Sequence, residues 1–187
     1  MKTKKTVFRK VIRFSVIALF MVIAQSCETE IHFEDTTPPE FSFQITGDGF
    51  RHVFDQDSDF SNIRLNLKQG TAYQFILSTA DEGGVANTSW GIKNNFQTPV
   101  DFPTPSSWTS WYDHNGQGYR IISWSGDRNN PLTGNILSGS FETTTDNVST
   151  YFNFTASDFG GQFGDPNIVS KRLTINISEL PTRIVRR

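Results

Sequence analysis

Cysteine is almost absent from this sequence, since Cys27 is the only one among 187 residues. No disulfide can therefore form within the chain, and the fold has to be held by its core alone. A long apolar run is absent too. The longest, Phe14 to Ala24, is broken only by Ser15 and is short for a membrane-spanning helix, which needs about 20 apolar residues.

Positive charge is scarce beyond residue 26. The first 26 residues hold six of the 17 basic residues and none of the 19 acidic ones, so the rest of the chain has a net charge of −8. An acidic body of about 160 residues fits one domain and argues against nucleic-acid binding, which needs a basic face. That body is poor in Ala, Leu and Lys and rich in Phe, Thr, Ser, Asn and Gly, which is the composition of strands and turns.

Residues 1–26 have the features of a secretory signal peptide. A Lys- and Arg-rich start is followed by the apolar run, and the small residues Ala24 and Ser26 stand just before Cys27. This arrangement resembles the lipobox of bacterial lipoproteins. In that family a diacylglycerol is attached to the cysteine thiol, the preceding peptide is removed, and the new amino terminus is acylated.

The resemblance implies that Cys27 is lipidated and that the body is attached to the outer membrane and exposed at the cell surface. Two or more acyl chains hold a protein firmly, because each buried methylene contributes about 0.8 kcal/mol. The bulky Gln25 departs from the usual pattern, and the acidic Glu28 and Glu30 follow the cysteine; both features resemble lipoproteins of the Bacteroidetes lineage. The alternative is an ordinary secretory peptide or an uncleaved anchor helix, with Cys27 incidental.

Residues 27–39 are predicted to form a polar tether between the anchor and the body. Pro38 and Pro39 restrict the backbone and favour an extended approach to the first strand. The preceding Asp35-Thr36-Thr37 resembles a short motif that is O-glycosylated in exported proteins of the same lineage, which would place a glycan on Thr36. A plain polar linker is the alternative.

Alternation of apolar and polar residues predicts the strands of the body, residues 40–180. It is clearest at 41–45, 63–67, 73–77, 152–156 and 173–177. Two segments, FILSTADEGGV at 75–85 and FNFTASDFGG at 152–161, end alike in an aspartate followed by two glycines. The aspartate can cap the turn, and glycine accepts the positive backbone angle that such a turn needs.

These strands and turns, with the proline pair before the first strand, resemble bacterial immunoglobulin-like and fibronectin-like domains. The resemblance covers residues 38–180 and implies an all-β fold, an immunoglobulin-like antiparallel β-sandwich with a long irregular insertion at 94–130. Trp90 would fill the core site of a strand tryptophan. The basic tail, 181–187, is predicted to lie loose outside the sandwich. Two repeated domains of roughly 70 residues are the alternative, but they would have thin cores.

Three carboxylates alternate along one turn, at Asp55, Asp57 and Asp59. Carboxylates spaced in this way can surround a hard cation such as calcium. The turn lacks the glycine and the distal glutamate of an EF-hand, so an acidic solvated turn with no cofactor is the preferred interpretation.

An aromatic segment is the candidate binding site. Trp108, Trp111 and Tyr112 offer flat faces beside the carboxylate of Asp113, an arrangement suited to sugars, whose apolar ring faces stack on aromatic rings while their hydroxyls bond polar groups. Exposed aromatics also mark protein interfaces, and tryptophan is mostly buried in cores. The segment therefore predicts a glycan site, a protein-partner surface or core packing.

No catalytic centre is predicted. The histidines, His32, His52 and His114, have no nucleophile motif beside them and no metal-ligand spacing. The sequence therefore predicts a non-catalytic surface lipoprotein, a binding or accessory subunit of an outer-membrane complex. The alternatives are a glycan-binding lipoprotein that accompanies an outer-membrane sugar importer and, last, a small hydrolase that uses His114 or Asp113.

Overall fold

The computed structural model describes residues 34–101, 107–112 and 118–187, which form a sandwich of two β-sheets. Its twelve described strands are β1 (Glu40–Gly47), β2 (Phe50–Asp55), β3 (Ile63–Lys68), β4 (Ala72–Ala80), β5 (Val85–Ile92), β6 (Val100–Asp101), β7 (Trp108–Tyr112), β8 (Arg120–Ser125), β9 (Gly134–Glu142), β10 (Val148–Asp158), β11 (Ile168–Ser178) and β12 (Arg183–Arg186). One sheet has the order β2-β1-β4-β9-β6 and the other β12-β3-β11-β10-β5-β8-β7. The predicted all-β class and the immunoglobulin-like sandwich are confirmed.

The core lies between the two sheets and is built from the apolar positions of the alternating strands. Trp90 on β5 is fully buried at its centre, as predicted. Its ring centroid lies 4.8 Å from that of Phe75, 5.1 Å from that of Phe152 and 5.2 Å from that of Phe43. Such tilted and edge-to-face pairs each add about 0.5–1.5 kcal/mol beyond the apolar area that they bury. A chain without disulfides is thus held by aromatic packing.

One strand pair corrects the expectation of a purely antiparallel sandwich, because β3 runs parallel to β11, with Leu65 opposite Ile175. The C-terminal tail is a second correction. Residues 181–187 were predicted to be loose, but β12 pairs with the other edge of β3, and Ile184 packs against the core. β11 ends at Ser178, before Pro181. The chain then turns back to β12, and the buried amide of Asn66 holds this corner by donating to the carbonyl of Pro181 (3.2 Å).

The insertion at 94–130 is more regular than its prolines and glycines predict. Strands β7 and β8 form a hairpin-like pair that extends the seven-stranded sheet beyond β5. Trp108 and Trp124 lie opposite each other in this pair, and both are buried in the core. The burial of two indole rings explains why a Pro- and Gly-rich segment adds a strand to the sheet edge.

The two Asp-Gly-Gly turns lie at the same end of the sandwich. At the second turn, Asp158 Oδ1 accepts hydrogen bonds from the backbone N–H groups of Gly160 (2.7 Å) and Asn167 (2.8 Å), and Gly160 has φ +67°. At the first, the backbone carbonyl of Asp81 accepts from the N–H of Gly84 (3.3 Å), whose φ is +104°. The predicted side-chain cap therefore forms at Asp158. At Asp81 the backbone bond closes the turn, and the backbone N–H groups of Gly83 and Gly84 also bond its carboxylate, which lowers its pKa and partly offsets the rise caused by burial.

Candidate binding face

The outward-facing side chains of the seven-stranded sheet, here called the outer face, form the candidate site. Successive side chains of a strand point to opposite sides of the sheet, so the residues that alternate with the buried ones point away from the core and share this surface. Pairing registers place one row across five strands: Trp111, Ile121, Gly91, Asn153 and Arg172. The neighbouring row carries only hydroxyl side chains: Thr109, Ser123, Ser89, Thr155 and Ser170.

Tyr119 lies across Gly91 in the first row. A Cβ atom at Gly91 would come within 2.1 Å of the Tyr119 hydroxyl, so only glycine leaves room for the ring in this position. The hydroxyl accepts a hydrogen bond from Asn153 Nδ2 (2.8 Å). Because a glycine in a strand interior weakens the strand, Gly91 is explained by this close approach rather than by strand propensity.

Arg172 is fixed by a hydrogen bond and by an aromatic ring. Its Nε donates to Asn153 Oδ1 (3.0 Å), and its Cζ lies 4.5 Å from the centroid of the Tyr151 ring. Lys93 Nζ lies 5.2 Å from the same centroid, and the Tyr119 ring lies 6.5 Å away. Two cations and two tyrosines are thus gathered around one amide, and each cation gains from the negative face of the ring.

A groove of about 380 Å³ runs beside this group. Its walls come from four strands and from Tyr119, and they include Ser89, Ile121, Thr155 and Ser170. The groove is open to solvent. Its lining offers hydroxyl, amide and guanidinium groups beside aromatic rings.

The outer face is basic although the body as a whole is acidic. Within the described strands, no outward position of this sheet carries Asp, Glu, His or Cys. The basic residues on or beside the face are Arg64, Lys68, Lys93, Arg172, Arg183 and Arg187. Lys68 pairs with Asp48 at its edge (3.5 Å), and Arg187 donates to the Thr174 hydroxyl.

The predicted aromatic segment is divided between core and surface. Trp108 is 4% exposed and belongs to the core, so the core interpretation applies to this residue. Trp111 is 50% exposed and stands at the end of the first row. Tyr112 is 51% exposed and lies opposite Arg120, whose Cζ is 5.5 Å from the ring centroid. Asp113 and His114 lie outside the described residues.

The predicted acidic turn is held by its own hydrogen bonds. Asp55 Oδ1 accepts from the Ser58 hydroxyl (2.9 Å), and Asp59 Oδ2 accepts from Asn62 Nδ2 (2.9 Å). Asp57 is exposed between them. Within the ranges that the structure covers, these three carboxylates do not form a metal-sized cluster. Calcium binding at this turn remains a prediction.

A different acidic cluster was not anticipated from the sequence. Carboxylate oxygens of Asp35, Asp81 and Asp158 lie within 4.8 Å of one another at the end where the Asp-Gly-Gly turns meet. Burial, reinforced by the charges of Asp35 and then Asp158, raises the pKa of Asp81 to about 6. The repeated Asp-Gly-Gly pattern was the available signal, but only the fold brings the tether aspartate against both turns.

The remaining predicted residues lie apart from the outer face. Thr36 is exposed on the segment 34–39, which has no regular secondary structure. His52 lies on β2 with its ring 4.6 Å from that of Phe54, and burial lowers its pKa. Cys27 and His32 lie outside the described residues. In the described ranges the one helix is a three-residue 3-10 turn, so no helix there can cross a bilayer.

No protein-family model and no curated protein sequence matches this chain. Among solved structures, it is similar to a cohesin module from a Clostridium perfringens family 33 glycoside hydrolase (TM-score 0.36, 17% identity, covering 63% of this chain and 97% of that one). It is also similar to AggA, the major subunit of aggregative adherence fimbriae type I from Escherichia coli. This match has a TM-score of 0.36 and 8% identity, and it covers 79% of this chain and 100% of that one. A third similar structure is that of a Nocardia farcinica protein described as having an immunoglobulin-like fold. This match has a TM-score of 0.33 and 17% identity, and it covers 62% of this chain and 97% of that one. The similarity concerns the general two-sheet arrangement.

Proposed function

We propose that this protein is a non-catalytic binding module, lipidated at Cys27 and displayed from the outer membrane, that holds its ligand on the outer face. The observation that carries the proposal is the bonded group of Tyr119, Asn153 and Arg172 beside an open groove. Side chains that already hold one another in place lose little conformational entropy when a ligand arrives.

The chemistry of the outer face supports binding rather than catalysis. Its described outward positions offer hydroxyls, an amide, aromatic rings and cations, but no carboxylate, imidazole or thiol. General acid–base catalysis most often uses one of these groups, and a serine or threonine hydroxyl becomes a good nucleophile only when an adjacent base activates it. The groups on this surface can orient a ligand and stabilise it there.

Two variants of the mature protein test the site. Arg172→Gln removes a charge from the group, and Trp111→Ala removes the exposed ring at the end of the row. Both should abolish capture of ligands from a mixed glycan and protein array while leaving the circular-dichroism spectrum unchanged. Arg51→Gln, on the opposite sheet, is the matched control. Full capture by both outer-face variants would refute this assignment.

The anchor is tested separately with Cys27→Ser in the full chain. The unsubstituted protein should fractionate with outer membranes and show the mass of an acylated amino terminus. The variant should lose that mass increment and leave the membrane fraction. An unmodified thiol in membrane-extracted wild-type protein would contradict lipidation without affecting the binding face.

A second candidate is an accessory subunit that contacts an outer-membrane protein through the five-stranded sheet. The outward surface of that sheet exposes Ile76 and Ile136, the latter by 65%, on the neighbouring strands β4 and β9, and Val53 two strands away on β2. Exposed apolar side chains favour protein contacts. Ile76→Ser with Ile136→Ser should then prevent co-purification of a membrane partner, whereas Arg172→Gln should not.

A further inference from the structure

We infer that the ligand of the outer face is an acidic polysaccharide, a sugar chain that carries carboxylate or sulfate groups. This inference rests on the proposed function and names the ligand of the same surface. Three independent features of the face support it: its cations, its hydroxyl row beside the exposed indole of Trp111, and its extent.

The cations of the face are disposed to bind an anionic group. Arg172 uses Nε for Asn153 and stacks on Tyr151, which fixes the guanidinium plane and commits neither Nη group to a hydrogen bond within the described structure. A guanidinium held in this way can donate a pair of parallel hydrogen bonds to a carboxylate or sulfate. Lys93 lies over the same ring and adds a second charge.

Charge complementarity favours this ligand over a neutral one. The chain beyond residue 26 has a net charge of −8, yet the described outward positions of this sheet carry no acidic side chain. Segregation of cations onto one surface of an acidic protein attracts a polyanion to that surface and repels it elsewhere.

The rest of the face suits a carbohydrate backbone. The half-exposed indole of Trp111 provides a flat apolar surface for a sugar ring, and the hydroxyl row beside it can donate to and accept from sugar hydroxyls. Protein interfaces, by contrast, have an apolar centre depleted of charge. Here the centre of the surface is the polar group of Asn153, Tyr119 and Arg172.

The extent of the face fits a chain rather than a single sugar. The first row crosses five strands, and neighbouring strands are about 4.8 Å apart, so Trp111 and Arg172 are separated by roughly 19 Å. An extended polymer can contact the aromatic end and the basic end together. Simultaneous contact at both ends strengthens binding through effective concentration.

The test is isothermal titration of the mature protein with polygalacturonate, heparin and neutral dextran. We expect binding to at least one of the two polyanions, weakening as NaCl rises from 50 to 500 mM, and none to dextran. Arg172→Gln should weaken binding by about tenfold or more, the loss of a charged hydrogen bond. Trp111→Ala should weaken it as well, and Arg51→Gln should change it less than twofold. Equal melting temperatures will show that the variants are folded.

The outcomes separate this inference from the proposed function. Recognition of carboxylates predicts binding to polygalacturonate, with heparin binding as well through its uronic acids, whereas recognition of sulfate predicts binding to heparin alone. Capture of dextran that is lost in Trp111→Ala and kept in Arg172→Gln would overturn the acidic ligand but leave the binding face standing. Capture of a protein alone through the same residues would also overturn it. Array binding unaffected by either substitution would refute both.

Discussion

Glycine at position 91 decides whether Tyr119 can cover the sheet. Gly91→Ala places a Cβ within 2.1 Å of the tyrosine hydroxyl, so the ring has to leave and its bond to Asn153 breaks. We expect the free energy of unfolding to fall by about 1 kcal/mol, the order of one lost hydrogen bond, because the half-buried ring can move outward. Urea denaturation monitored by circular dichroism measures this loss.

Ser89→Ala, two residues earlier on the same strand, is the control, because Ser89 has room and only loses a hydroxyl. Removing the tyrosine ring should rescue the glycine variant: Gly91→Ala with Tyr119→Ala should be no less stable than Tyr119→Ala alone. An unchanged stability of Gly91→Ala by itself would show that Tyr119 does not lie over this strand.

Trp108 and Trp111, three residues apart, differ in how much they contribute to the stability of the fold. Trp108→Ala empties a buried site opposite Trp124 and should lower the free energy of unfolding by about 3–5 kcal/mol. Trp111→Ala removes a half-exposed ring and should change it by about 0.5 kcal/mol or less. Equilibrium urea unfolding of the two variants checks both values, and similar losses would contradict the division of this segment.

Among elements, the short C-terminal strand completes the seven-stranded sheet. Deleting residues 183–187 removes β12, uncovers the edge of β3 and exposes the core around Ile184. We expect a loss of about 2 kcal/mol from the buried apolar side chain, together with a greater tendency to aggregate, because an unpaired edge recruits other strands. Thermal melting and light scattering measure the two effects.

The point variant Ile184→Ser keeps the strand backbone and separates these effects. It should lower stability without promoting aggregation, since β3 stays paired. A truncated chain as stable and soluble as the intact one would show that the tail is dispensable.

The cluster of Asp35, Asp81 and Asp158 should respond to pH through Asp81. Its pKa in the folded protein, about 6, lies above the ordinary value of 3.8, chiefly because of burial and secondly because of Asp35 and Asp158. The folded form therefore holds this proton more tightly, and the resulting stabilisation, complete below pH 3.8, is lost as pH rises through about 6.

Asp81→Asn mimics the protonated side chain at every pH. It should raise the melting temperature at pH 7.5 by more than at pH 4.5, as differential scanning calorimetry can measure. Asp57→Asn, at an exposed position, should show no such difference. The opposite result would be a lower melting temperature for Asp81→Asn than for the wild type at pH 7.5. If EDTA then lowered the wild-type melting temperature to the value of the variant, a cation would be bound between the three carboxylates.

For the whole molecule, the sequence predicts what depends on local alternation. The strands with one buried side, such as β1, β4, β10 and β11, were predicted because their period of two is set by the core that they face. Strand β12 was not predicted, because its four residues are too few to show an alternation of apolar and polar side chains. Strand β7 was missed because its indole side chain at Trp108 could serve equally as core or surface.

The outer face was less predictable than the fold. The row from Trp111 to Arg172 joins residues more than 60 positions apart, and its alignment depends on the pairing register of four strand pairs. Register is fixed by non-local packing, so periodicity alone cannot align these side chains. Gly91 illustrates the limit: as a sequence feature it suggests a weak strand, and only Tyr119 explains it.

The position of the segment 34–39 sets the distance between the start of the body and the outer face. Asn167 Nδ2 donates to the Asp35 carbonyl (2.8 Å), which fastens this segment where β10 ends at Asp158. Tyr151 lies seven residues back along that strand, roughly 23 Å away at about 3.3 Å per residue. With the proposed anchor at Cys27, a ligand held at Tyr151 would therefore stand roughly 20 Å or more from the point where the tether joins the body.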